Sequence, residues 1–136
     1  MLTLLEKVSF LQKALVFQWI PTESLGRVAA VAREITFDSR HTLYRESDNP
    51  DTMFVILEGE AAELHNGQVT KKLGPNEVTG ILPLLSGEPY ATSAVASKAG
   101  RALRIDQQDF YDVLAEDFDV TKGILKALVG LAAGGA

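Results

Sequence analysis

Residues 78–96, VTGILPLLSGEPYATSAVA, have the outline of a phosphate cradle. A glycine enters a turn, a short apolar run follows, then a Ser-Gly-Glu-Pro turn and small hydroxylated residues. A turn that opens a helix presents unpaired backbone N–H groups, and these bind anions. The other residue types able to do chemistry are less well arranged. His41 and His65 stand alone, without a His-x-His pair or a third histidine. A metal site needs three or more convergent ligands, so both are expected as surface strand or turn residues. Ser86-Gly87-Glu88 lacks the G-x-S-x-G pattern of a nucleophile elbow. Asp106, Asp109, Asp112, Glu116 and Asp117 make an acidic helix, expected to be a capped, solvated face. No catalytic constellation emerges, and the expectation is a non-enzyme without cofactor or metal.

Composition bounds the rest. A chain of 136 residues, 46% apolar and 23% charged, suits one globular domain with one core. The formal charge of -5 and the absence of a basic run argue against non-specific nucleic-acid binding. Without cysteine, disulfides, thiolate metal sites and a Cys nucleophile are excluded. The N-terminus is interrupted by Glu6, Lys7 and Lys13, so no signal peptide is expected. No run approaches the roughly 20 apolar residues of a membrane span, and a cytoplasmic location follows as the expectation.

Three blocks of elements must position the cradle. Helices are expected over about 3–35. Leu4, Leu5, Val8, Leu11 and Leu15 line one face of the first. Pro21 breaks the pattern and Thr22 is placed to cap a second helix, whose buried stripe is Leu25, Val28, Ala29, Ala32 and Ile35. Phe17 and Trp19 are expected to pack as a hinge cluster between them. Over about 36–105 the pattern changes to short strands: ITFDSRHTLYRE, TMFVILEGEAAELH, QVTKKL, TSAVASK and RALRID. Asn66-Gly67 predicts a type I′ hairpin, and Gly59, Gly74-Pro75 and Gly87 mark further turns. Such strands predict a closed antiparallel β-roll or jelly roll. Helices return over about 107–132, with Asp106 as a cap and Phe110, Val113 and Leu114 facing inward. A final helix carries Ile124, Leu125, Leu128 and Leu131 as its stripe, weakened by Gly123 and Gly130, and ends in a frayed Gly-Gly-Ala. The whole is α+β, one domain over 1–136.

In order and spacing these segments resemble the cyclic nucleotide-binding domain family, from about Leu4 to Leu128. Phe37, Asp48, Asp51, Phe54, Ile56 and Gly59 fit its roll, and Phe110 and Leu114 the helix after it. Its ligand site is a cassette written F-G-E-L-A-L-L, three residues, P-R, one residue, A and T or S. Gly80, Leu82, Leu84, Leu85, Pro89 and Ser93 conform to that cassette. By the resemblance, Ile81 stands where an acid holds the ribose hydroxyl, and Tyr90 where an arginine pairs with the phosphate. Thr92, next to Ala91, stands where alanine is preferred. Arg40 and Ser47 replace turn glycines, and Asn76 occupies a third such position.

The resemblance therefore implies a regulatory or interaction domain whose cassette residues Gly80, Ile81, Leu82, Tyr90, Ala91, Thr92 and Ser93 are vestigial. Binding of cAMP or cGMP is expected to be weak or absent, with Tyr90 lying in the phosphate's place. Two alternatives stand beside it. One is a true sensor in which Arg45, Arg101 or Arg104 replaces the lost charge. The other is a binder of another small apolar ligand. A protein partner or a larger parent protein is expected, as is a second copy paired through the C-terminal helix. DNA-binding members of the family continue into a helix-turn-helix, which is not found here.

Overall fold

The computed structural model describes residues 1–135. Thr3 opens helix α1 (Leu4–Gln12) with a capping box: its hydroxyl accepts from the Glu6 N–H, and the Glu6 carboxylate accepts from the Thr3 N–H. Val8 and Leu11 are the buried residues of α1, while Leu4, Leu5 and Leu15 of the expected stripe are exposed. The chain leaves the helix at Lys13 and makes a single 3-10 turn at Leu15–Phe17, which carries Leu15 off the helical face. Phe17 is fully buried, but Trp19 is 54% exposed, so the expected hinge pair does not form. The Trp19 ring instead lies beneath the Lys126 ammonium, 5.8 Å away.

Helix α2 (Thr22–Val31) has Pro21 rather than Thr22 at its N-cap. The Thr22 hydroxyl is turned to the Gln12 side-chain amide at 2.7 Å. The helix ends four residues before Ile35, which belongs to strand β1 (Arg33–Phe37) instead of the α2 stripe. Pairing with β6 across Ile35 and Ala102 overrides the helical spacing.

Six strands form one antiparallel sheet: β1, β2 (Thr42–Tyr44), β3 (Thr52–His65), β4 (Gln68–Leu73), β5 (Val78–Thr79) and β6 (Ser93–Asp106). The order is β1-β6-β3-β4, with β2 also on β6 and β5 also on β3. This β-roll is open, not the closed ring expected. The hairpin at Asn66-Gly67 has φ of 52° and 79°, the two positive values a type I′ turn demands.

The expected strands TSAVASK and RALRID are one strand, β6, and Gly59 lies inside β3 instead of in a connecting turn. Gly59 (φ +85°) and Gly100 face each other where the β3–β6 register slips repeatedly between Ile56 and Ala61. A Cβ on Gly100 would overlap the Glu58 carbonyl oxygen and lie 2.8 Å from the Gly59 Cα. The missing side chains let the two long strands bulge and curl.

Alternation along β3 and β6 creates two apolar clusters. Met53, Val55, Leu57, Leu103 and Ile105 face the helices, where they meet Phe17, Leu25 and Phe110. Phe37, Tyr44, Phe54, Ile56, Tyr90 and Ala94 fill the roll.

Helix α4 (Gln107–Glu116) starts at Asp106, but the Asp106 carboxylate makes no capping bond because Arg33 and Arg104 hold it, each at 2.9 Å. Helix α5 (Phe118–Gly135) buries Val120, Ile124 and Ala127. Leu125 and Leu131 of the expected stripe point to solvent and Leu128 is half-buried. Gly123 is not a defect in this helix. A Cβ there would lie 2.6 Å from Ile20 Cγ1 and 3.0 Å from the Trp19 carbonyl oxygen, so its absence lets α5 dock. Nor are the acids uniformly solvated. Asp117 Oδ1 accepts from the Asp119 and Val120 N–H groups at the start of α5, and Oδ2 pairs with Arg27 at 3.2 Å. Gly134 and Gly135 of the expected frayed end are helical, and Ala136 lies outside the described residues.

Arg40, Ser47 and Asn76 have φ of 73°, 70° and 72°, so all three keep the backbone of the glycines they resemble substitutions for. A left-handed residue with a Cβ costs about 1–2 kcal/mol, against about 0.5–1 kcal/mol of chain entropy recovered by not using glycine. Arg40→Gly and Ser47→Gly should therefore each raise the urea midpoint, by about 0.5–1 kcal/mol of stability. A lowered midpoint would show that the side chains contribute more than their backbone strain removes.

Candidate functional site

Gly80, with φ of 89°, ends β5 and opens helix α3 (Ile81–Ser86), and Gly87, at 77°, closes it. Only glycine suits position 80, since a Cβ would also meet the Thr52 carbonyl oxygen at 3.0 Å. The segment thus runs turn, one short helix, turn, then β6.

The side chains divide between two environments. Ile81 is buried among the helix-facing residues, with Leu84 one turn later on the same side of α3. It does not line the roll, whereas Tyr90 does. Leu82 is exposed and borders an outer groove of about 490 Å³ with Pro83, Leu85, Pro89 and Leu128. Ala91 is exposed and its carbonyl oxygen is 3.3 Å from His65 Nδ1. Thr92 is half-buried, and the Ser93 hydroxyl accepts the Glu46 N–H at 2.9 Å.

Tyr90 alone among these positions fills the roll. It is 4% exposed, and its ring stacks on Tyr44 with centroids 3.9 Å apart and planes 12° apart. Tyr44 in turn stacks on Phe54 at 6.5 Å. The Tyr90 hydroxyl donates to the Thr52 carbonyl at 2.6 Å and accepts the Thr52 N–H at 3.0 Å. Its backbone is pinned as well: the N–H bonds Asp48 O, and the carbonyl accepts from Ser47 N–H. Burial pushes the Tyr90 phenol above its ordinary value. It pushes the Tyr44 phenol up to about 12. The partner of Tyr90, a backbone peptide, carries no sequence signature.

Beside this stack lies a polar group that sequence reasoning missed. Thr79, 2% exposed, donates to Glu63 Oε2 at 2.7 Å and is hydrogen-bonded to the Tyr44 hydroxyl. Period-two alternation from Ala61, which is in the roll, could have placed Glu63 on the same face.

Of the three arginines expected as substitutes, two pair with carboxylates and one is exposed. Arg101 binds Glu34 at 3.1 Å and Glu58 at 2.5 Å. Arg104 binds Asp106, and Arg45 is exposed. His41 is exposed, and His65 Nδ1 lies 3.2 Å from Glu46. No helix among the described residues is long and apolar enough to cross a membrane.

Comparison with known proteins fits this architecture. The chain is 22% identical to the N-terminal domain of a transcriptional regulator from Streptomyces coelicolor A3(2), with a TM-score of 0.80, covering 92% of this chain and 91% of that one. The regulatory domain of Toxoplasma gondii PKA, co-crystallised with cAMP, gives 0.72 at 23% identity, over 78% of this chain and 42% of that one. These identities speak for the fold alone. By sequence, the chain is 29% identical over 73 residues to a patatin-like phospholipase domain-containing protein, ZK370.4, of Caenorhabditis elegans, which covers 54% of this chain. It spans only 5% of that relative's length. The cyclic nucleotide-binding domain matches residues 34–117, from β1 through α4, and the chain belongs to that family.

Proposed function

We propose that this chain is a non-catalytic regulatory or interaction domain whose roll no longer takes cAMP or cGMP. The observation that carries the reading is Tyr90, buried against Tyr44 with both hydrogen-bonding capacities of its hydroxyl spent on Thr52. A cyclic phosphate needs a paired charge when buried, and a neutral phenol supplies none. Lacking one partner of a buried charged pair costs about 2–5 kcal/mol, and about 1.4 kcal/mol is tenfold in affinity. The engagement of Arg101 and Arg104 with carboxylates weighs against a compensated sensor. A small apolar ligand has one observation in its favour, the groove of Leu82, Pro83, Leu85 and Leu128, but this lies outside the roll.

In this reading the domain acts through a protein partner or a larger parent protein, in the cytoplasm. The exposed Leu125, Val129 and Leu131 of α5 favour a protein contact there, a second copy included. Titration calorimetry with cAMP, cGMP and cyclic dinucleotides should give no binding heat at micromolar protein. Saturable micromolar binding of either mononucleotide would sink the reading.

A further inference from the structure

The protons of the Tyr90, Thr79 and Tyr44 hydroxyls can be followed. Tyr90 O–H goes to the Thr52 carbonyl. Thr79 O–H goes to Glu63 Oε2, which leaves the Thr79 oxygen as acceptor for the Tyr44 O–H. Tyr44 and Thr79 thus form a relay that ends on a carboxylate. All three protons are directed to protein oxygens, and the two in the relay serve Glu63. The Glu63 charge is also felt by the buried ring, adding to burial in holding the Tyr44 phenol up.

We propose that Glu63 is a specificity-determining residue, whose carboxylate, turned into the roll and reached through Thr79 and Tyr44, excludes anions whatever stands at position 90. This rests on the reading of the domain as a non-binder and adds a second cause for it. An anion entering beside Tyr44 meets a like charge that is only partly open to water, which weakens the screening of their repulsion. It also finds the Tyr44 and Thr79 hydroxyls turned away. Glu63→Gln keeps the side-chain oxygen that accepts from Thr79 while removing the charge.

The test is a titration of cAMP onto wild type, Glu63→Gln, Tyr90→Arg and the double variant Tyr90→Arg/Glu63→Gln, each checked for cooperative unfolding. The double variant should bind at least tenfold more tightly than Tyr90→Arg alone. Equal affinity of the two, or no binding by either when both are folded, overturns the role of Glu63. Binding by wild type would overturn the earlier reading instead, so the two failures are separate. Should an arginine variant not fold, the phenol absorbance of Glu63→Gln decides. Tyr44 should ionise at lower pH than in wild type, and an unchanged alkaline titration overturns the proposal.

Discussion

Gly100→Ala should destabilise the fold by about 3 kcal/mol, the upper end of what overpacking costs. The new methyl would meet main chain, not a side chain that can rotate away: the Glu58 carbonyl carbon at 2.5 Å and the Gly59 Cα at 2.8 Å. Relief requires β3 and β6 to part where they cross. Those two strands carry the others, since β1 and β2 attach to β6 while β4 and β5 attach to β3. Urea unfolding followed by circular dichroism measures the effect. Gly26→Ala is the control, because a Cβ there has nothing within 4 Å and α2 should gain up to about 1 kcal/mol. An unchanged midpoint for Gly100→Ala would mean that the strands do not approach as described.

Tyr90→Ala is expected to cost about 3–5 kcal/mol, as for other large buried aromatic residues. It removes the ring stacked on Tyr44 and leaves the Thr52 N–H and carbonyl without their hydroxyl partner. Tyr90→Phe separates the two terms. It keeps the stack and should cost only the unsatisfied peptide groups, about 1–3 kcal/mol. Thermal or urea unfolding of the two variants gives the comparison. A Tyr90→Ala protein as stable as wild type would contradict the view that the ring is a structural part of the roll.

Where local chemistry decides the conformation, the sequence was legible. Asn66-Gly67 allows few turns, and the hairpin is there. The glycines and prolines of VTGILPLLSGEP likewise specify turn, helix, turn. Pairing partners were harder to read. Gly100 looks like a break between two strands, yet its role depends on Gly59 and Glu58, some forty residues earlier in the chain. Gly123 suggests a weak helix until Ile20 is brought against it. Asp117 belongs to an acidic run by composition, but the close of α4 against α2 gives it Arg27 and the start of α5.

The candidate site divides in the same way. That Tyr90 stands, by the family resemblance, at an arginine position could be read in one dimension; its attachment to Thr52 could not. Ile81 shows the limit of carrying a role position by position. Helical geometry turns it to the opposite side of the sheet from Tyr90, so the two expected ligand-facing residues never meet.

The glycine contact of α5 has a mechanical consequence. At Gly123 the C-terminal helix rests on the Trp19 carbonyl and the Ile20 side chain with no side chain of its own in between. A contact through side chains can absorb displacement by changing rotamer; this one has little such slack. A displacement of α5 should therefore carry the segment between α1 and α2 with it, with Lys126 over Trp19 as a second point of contact. The linkage works as a pivot pin rather than a spring, and it runs between the two helical ends of the chain without passing through the roll.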